Sequence, residues 1–316
     1  MSAYYLHDFD PFIFQLWGSF GPRWYGMAYV LAFAGGYWLI GVLARRGYSQ
    51  LRPAQVGDFV SWCALFGVML GGRIGYVLFY RPEMLRDPLS IVRVWEGGMS
   101  SHGGMLGVLV FTYWYSWRHK ISWPNLGDNL VVVVPLGLFF GRCANFINGE
   151  LFGRLAHVPW AMLFPKELLE PRNAVAADRA LSVARQIDPS LTSPEAIVQS
   201  IPSQPALGEA LRPILTPRHP SQIYEALLEG LVLFTVLWLV RTRTRQPDGV
   251  ITGLFFIGYA ILRIVVEYFR EPDASLIAGF TRGQFFSLFV FALGLAFVVI
   301  GKIRSVQSSP IYQRAR

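Results

Sequence analysis

Between Gly141 and Arg154 the chain sets Arg142, Asn145, Asn148, Glu150, Gly153 and Arg154 directly after an apolar run, Leu130 to Phe140. Charges at bilayer depth cost about 2.5–3.5 kcal/mol each on insertion scales, so no lipid-facing helix would carry this load. Glycines at 141, 149 and 153 let the backbone turn and approach a ligand closely. A guanidinium fork matches the oxygens of a phosphate. A second concentration is Tyr259, Arg263, Glu267 and Arg270, which share one face of a helix at 100° per residue. That face must look into a bundle or a hydrated cavity. Both stretches suit anion binding. The plain alternatives are a polar loop that ends a helix and an Arg263–Glu267 pair that locks helices together.

Other residues point the same way. His102, in Ser100-Ser101-His102-Gly103-Gly104-Met105, opens an apolar stretch, and histidine is the side chain best suited to take a proton near neutral pH. Tyr25, in Arg23-Trp24-Tyr25-Gly26, is either a site hydroxyl or a member of an interfacial aromatic belt. Arg73, in Gly71-Gly72-Arg73-Ile74-Gly75-Tyr76, is a charge inside an apolar span, and Gln222, Glu225 and Glu229 share a helix face. All but Arg73 sit near the outer ends of their spans. Together they outline a cavity of cations, a histidine and tyrosines against apolar walls, which suits an amphiphile with an anionic head and acyl tails. The chain has no P-loop, no HExxH and no GxSxG, so nucleotide, zinc-protease and serine-hydrolase chemistries have no support. The two cysteines, Cys63 and Cys143, form neither a disulfide framework nor a metal-ligand pattern, and no metal or organic cofactor is expected.

The elements that must hold these residues are membrane helices. Of 316 residues, 53% are hydrophobic and only 15% charged, against about 25% charged in soluble domains, and mean hydropathy is +0.39. The expected fold class is an all-α integral membrane protein of about seven transmembrane helices with a small extracytoplasmic head. Spans are expected at about Trp24–Ala44, Val56–Tyr80 (interrupted at Gly71-Gly72-Arg73), Met99–Trp117, Leu126–Gly141, Ile223–Val240, Val250–Phe269 and Gln284–Ile300, each near the ~17–25 residues that cross the hydrocarbon. The net charge of +8 lies in short basic segments between spans. It therefore speaks for topology and anionic headgroups rather than nucleic acid. Arg45–Arg52, Arg118–Lys120, Arg241–Arg245 and the tail from Lys302 fall on one side, which the positive-inside rule makes cytoplasmic. The expected division is an interfacial arm, 1–22, broken by Pro11, Gly18, Gly21 and Pro22; spans one to four with the Gly141–Arg154 stretch, 23–154; an extracytoplasmic insert, 155–217; and spans five to seven with a cytoplasmic tail, 218–316. Within the insert, Leu181–Ile187 and Pro194–Ser200 are candidate short helices and Trp160–Phe164 a candidate strand or interfacial segment. No removable signal peptide is expected.

The pattern Arg-x-x-Asn-Phe-x-Asn-Gly-Glu-x-x-Gly from Arg142 to Gly153 resembles the signature of bacterial prolipoprotein diacylglyceryl transferases. So do the quoted segments at Arg23, Gly71, His102, His219-Pro220-Ser221-Gln222 and Tyr259–Arg270. The likeness spans nearly the whole chain and is weakest around Arg172–Leu211. It implies a multi-pass enzyme of the bacterial inner membrane with its N-terminus outside. Such an enzyme moves the diacylglyceryl group of phosphatidylglycerol to the lipobox cysteine of a prolipoprotein signal peptide, making a thioether and releasing glycerol phosphate. Carried over residue by residue, His102, Arg142 and Arg263 are expected to be catalytic. Tyr25, Arg73, Asn145, Asn148, Glu150, Gly153, Gln222, Tyr259, Glu267 and Arg270 are expected to bind substrate. On chemical grounds His102 would take the thiol proton, Arg142 and Arg263 would clamp the phosphate, and Glu150 and Glu267 would orient the arginines. A lipid or anion transporter and a lipid acyltransferase are the rivals. Transporters should carry charges through the full membrane depth.

Overall fold

The computed structural model describes residues 4–16, 21–93, 97–272 and 275–307; Gly18 of the arm and the tail beyond 307 lie outside them. Six helices among the described residues are long and apolar enough to cross a bilayer: Trp24–Arg45, Pro53–Phe79, Trp123–Ile147, Ser221–Arg243, Val250–Glu267 and Arg282–Ser305. The remaining expected span is present as Ser101–His119, 19 residues long. Its Ser101, His102, Arg118 and His119 ends dilute its apolar character. Large side chains on these helices remain open to the surroundings, Phe79 and Trp117 each 71% exposed, as lipid contact requires. The chain is an all-α integral membrane protein.

Two spans differ from expectation. Pro53–Phe79 is helical through Gly71-Gly72-Arg73, with a π-helical segment at Cys63–Leu70. Trp123–Ile147 does not stop at Gly141 but carries Arg142 and Asn145 on its last turns. A glycine inside a helix costs only about 1 kcal/mol, which polar contacts made by the following residues offset. The turn comes later, at Gly149 (φ 63°) and Leu151 (φ 58°).

The chain divides into two compact units. The first comprises residues 1–31, 137–233 and 258–291. Its extramembrane part is a three-stranded sheet in which Tyr5–Leu6 runs parallel to Met162–Leu163, which in turn pairs antiparallel with Pro217–Arg218. Over it lie the helices Ala174–Ile187, Pro194–Ser200 and Pro205–Leu211. Their core joins Leu6 to Leu163, Ala180, Ala184, Ile197, Leu207 and Leu211. Beneath it Arg218 is held by Glu167 at 2.7 Å, and Thr216 donates to the same carboxylate.

The second unit comprises 32–136, 234–257 and 292–316. Here Ser101–His119 meets Pro53–Phe79 through glycines. A Cβ on Gly71 would come within 2.8 Å of Gly107 Cα, and one on Gly75 within 2.5 Å of Gly103 Cα. Small residues let membrane helices close to backbone contact. Ser100 caps Ser101–His119 by accepting from Gly103 N–H at 3.1 Å, which satisfies a donor the helix cannot. Fully buried Asp128 accepts from the N–H groups of Gly249 and Thr252 and from the Thr252 hydroxyl, and so closes the start of Val250–Glu267.

Candidate active site

In the first unit, three helices and one loop bring a charged cluster together. Glu225 and Glu229, one turn apart on Ser221–Arg243, are fully buried, and Glu229 lies in a π-helical segment, Ala226–Val232. Such segments reset the helix register and recur at functional sites. Arg142, near the end of Trp123–Ile147, places Nε 2.7 Å from Glu225 Oε2 and Nη2 3.8 Å from Glu229 Oε2. Arg263, on Val250–Glu267, reaches Glu225 at 3.3 Å, Glu229 at 3.4 Å and Glu267 at 2.9 Å. Arg270, just past that helix, places Nη1 2.9 Å from Glu225 Oε1. Glu267 lies against Gly283, where a Cβ would come within 2.6 Å of Oε2. That is the first turn of Arg282–Gln307, the end of a helix that favours a carboxylate. Three arginines thus face three glutamates. Desolvating isolated charges costs several kcal/mol each, and pairing of this kind is what makes their burial tolerable.

Beside the cluster runs a neutral network. Asn145 donates to Tyr25 Oη at 2.7 Å and to Glu150 Oε1 at 3.0 Å, so Glu150 engages Asn145 rather than an arginine, contrary to expectation. Gln222, fully buried, donates to the Glu150 carbonyl at 2.7 Å. Its Oε1 and the Oδ1 of Asn148 are buried acceptors without a partner among the described residues. Gly153 has a packing reason for its identity: a Cβ there would come within 2.8 Å of the His219 carbonyl. The adjoining backbone is stitched by Gly153 N–H to His219 O at 2.8 Å and Arg154 N–H to Phe269 O at 2.9 Å. Tyr259 lies one turn before Arg263 on the same helix. Outside the spans, His7 donates through Nε2 to Phe146 O at 2.6 Å. Its ring sits 2.9 Å from where a Cβ on Gly149 would be, and burial pushes its pKa below 6.5.

Arg73 and His102 belong to the second unit. His102 is exposed in the first turn of Ser101–His119, and Arg73 is buried, 4% exposed. The structure therefore gathers Tyr25, Arg142, Asn145, Asn148, Glu150, Gly153, Gln222, Tyr259, Arg263, Glu267 and Arg270 within one unit. Glu225 and Glu229 are the members that sequence reasoning left without a role. Charge arithmetic could have found them: Arg142, Arg263 and Arg270 need three buried acids, and Glu267 supplies one.

Fold and cluster define an integral membrane protein whose helices enclose a charge-balanced polar centre. A family model described as prolipoprotein diacylglyceryl transferase matches residues 11–300. Relatives named phosphatidylglycerol–prolipoprotein diacylglyceryl transferase include one from Gluconacetobacter diazotrophicus, 42% identical over 88% of this chain and 85% of its own. Another, from Bdellovibrio bacteriovorus, is 36% identical over 98% of this chain and 97% of its own. A third, from Escherichia fergusonii, is 39% identical over 97% of this chain and 99% of its own. The chain belongs to the prolipoprotein diacylglyceryl transferase family.

Proposed function

We propose that this protein transfers the diacylglyceryl group of phosphatidylglycerol to the lipobox cysteine of a prolipoprotein signal peptide, at the outer face of the bacterial inner membrane. In a chain of this family, the observation that carries the reading is the buried Arg142–Arg263–Arg270 cluster with its three glutamates. The cysteine sulfur attacks the glyceryl carbon that bears the phosphate ester. A carbon–sulfur bond forms, the carbon–oxygen bond breaks, and glycerol phosphate departs with the bonding electrons. The thiol, with a pKa of about 8.5, must shed its proton to be nucleophilic, and His102 is assigned as the acceptor.

Negative charge grows on the departing phosphate, and fixed guanidinium groups in a water-poor site stabilise it strongly. Arg142, with 18% of its side chain exposed, and Arg263, with 13%, are more open than Arg270 at 7%, so they are assigned the phosphate. Arg270, Glu225, Glu229 and Glu267 hold them in place, and Tyr259 lines the same helix face. Asn145, with Tyr25 and Glu150, borders the headgroup. The oxygens of Asn148 and Gln222 that lack a partner among the described residues suit the hydroxyl donors of a glycerol headgroup. The basic segments between spans support a cytoplasmic C-terminus and an outward-facing arm and insert. The chemistry requires no cofactor.

The test is direct. Purified protein, phosphatidylglycerol vesicles and a lipobox peptide should yield a diacylglyceryl thioether and one glycerol phosphate per peptide modified. A hydroxylamine-labile acyl thioester with release of lysophosphatidylglycerol would indicate acyl transfer instead, and lipid movement without any product would indicate transport.

A further inference from the structure

Arg73 is a charge buried in a membrane helix, and its guanidinium has five N–H donors. Every one is spent on a backbone carbonyl. Nε donates to Ile91 O at 2.8 Å. Nη1 donates to Gly97 O, and to Gly98 O at 2.9 Å. Nη2 donates to Ser90 O at 2.6 Å and Arg93 O at 3.1 Å. No donor remains for a phosphate. The carbonyls all belong to the segment that leads into Ser101–His119, and the residues around Arg73 pin the same segment. Ser100 N–H donates to Gly72 O at 2.9 Å, and Ser100 is the cap of that helix. Gly98 has φ 84°, and a Cβ there would come within 2.5 Å of the Tyr76 ring and 2.9 Å of Arg73 Nη1. His102 follows two residues after the pinned cap.

We propose that Arg73 is a positioning residue rather than a substrate ligand: it pegs residues 90–93 and 97–98 to Pro53–Phe79 and so fixes the start of the helix that presents His102. The cationic side chain suits the task because it supplies five donors to carbonyls at the end of the short helix Pro88–Val92 and at residues 93, 97 and 98, and each carbonyl dipole offsets part of the cost of burying the charge. Lysine has three donors on a flexible stem and cannot make this set. The functional half of the proposal rests on His102 acting as the base. The peg itself does not.

Two measurements on the full-length protein test the two halves separately. Hydrogen exchange of the amides at 90–93 and 97–103 should speed up at least tenfold in Arg73→Lys. It should also do so in Gly98→Ala, which retains the guanidinium but forces it and the Tyr76 ring aside. Unchanged exchange in both variants would overturn the peg. Misplacing a reacting group by about 1 Å can cost 10²-fold. Arg73→Lys should therefore lower kcat about 10- to 100-fold, with KM for phosphatidylglycerol within about twofold of wild type. A large rise in KM with kcat retained would make Arg73 a headgroup ligand and overturn the proposal. In a double-mutant cycle with His102→Gln the two defects should fail to add, as expected when one residue acts through the other. Additive defects would sever Arg73 from His102. If His102→Gln alone retains full activity, the base assignment falls, while the exchange result still decides the peg.

Discussion

At the scale of single residues, Glu225 organises the cluster, because Arg142, Arg263 and Arg270 all meet it. Removing it takes one carboxylate from each of three buried cations, and breaking a buried pair from one side costs about 3–5 kcal/mol. Glu225→Ala should therefore lower the thermal midpoint of the detergent-solubilised protein sharply. Glu229→Ala should cost less, since its contacts, at 3.4 and 3.8 Å, are longer. Equal midpoints for Glu225→Ala and wild type would show that the cluster is not held together this way. The arginines should behave differently. Arg142→Ala and Arg263→Ala should each reduce turnover about 10²-fold or more, the scale of losing one preorganised charge-stabilising donor, in protein that still reaches the membrane. Lysine should restore only part of it, because a point charge does not reproduce the fork. Normal turnover in both alanine variants would remove the phosphate clamp.

At the scale of elements, the arm and the turn after Trp123–Ile147 are joined by one imidazole. Because burial holds His7 below its ordinary pKa of 6.5, the folded protein keeps it neutral where the unfolded chain takes a proton. The resulting stability is complete above about pH 6.5 and is lost as pH falls from there toward the depressed folded value. Thermal midpoints measured between pH 7.5 and 5.5 should fall with acid, and His7→Asn should flatten the slope. An unchanged slope in the variant would remove His7 as its source. Little of this element-level detail was legible beforehand. The spans were, because apolar runs of fixed length have few other uses in a chain this poor in charge. The arginines and Glu267 of the buried cluster were too, because charge inside such a run demands a partner. What could not be read were the partners themselves. Arg73 is satisfied by backbone carbonyls, which carry no sequence signature. Gly153 looked like a ligand-facing glycine and is a contact point between backbones. The end of Trp123–Ile147 was misjudged because Gly141 resembles a stop, whereas Arg142 and Asn145 find partners that carry the helix past it.

At the scale of the whole molecule, the basic segments predict which side each loop occupies. A reporter active only outside the cytoplasm should work when fused near Ser190 and stay silent when fused after Arg304; the reverse pattern would overturn the orientation. The smallest elements of the fold add a constraint of another kind. Tyr5–Leu6 hydrogen-bonds to Met162–Leu163, so the chain lies on the same face of the bilayer at both points and must cross it an even number of times between them. Trp24–Arg45, Pro53–Phe79 and Trp123–Ile147 are apolar enough to cross unaided, and three is odd. Parity therefore predicts Ser101–His119 as the fourth crossing despite its polar ends. With the three apolar helices after the insert the described residues would make seven crossings, and an odd total predicts Tyr4 and Gln307 on opposite faces of the membrane.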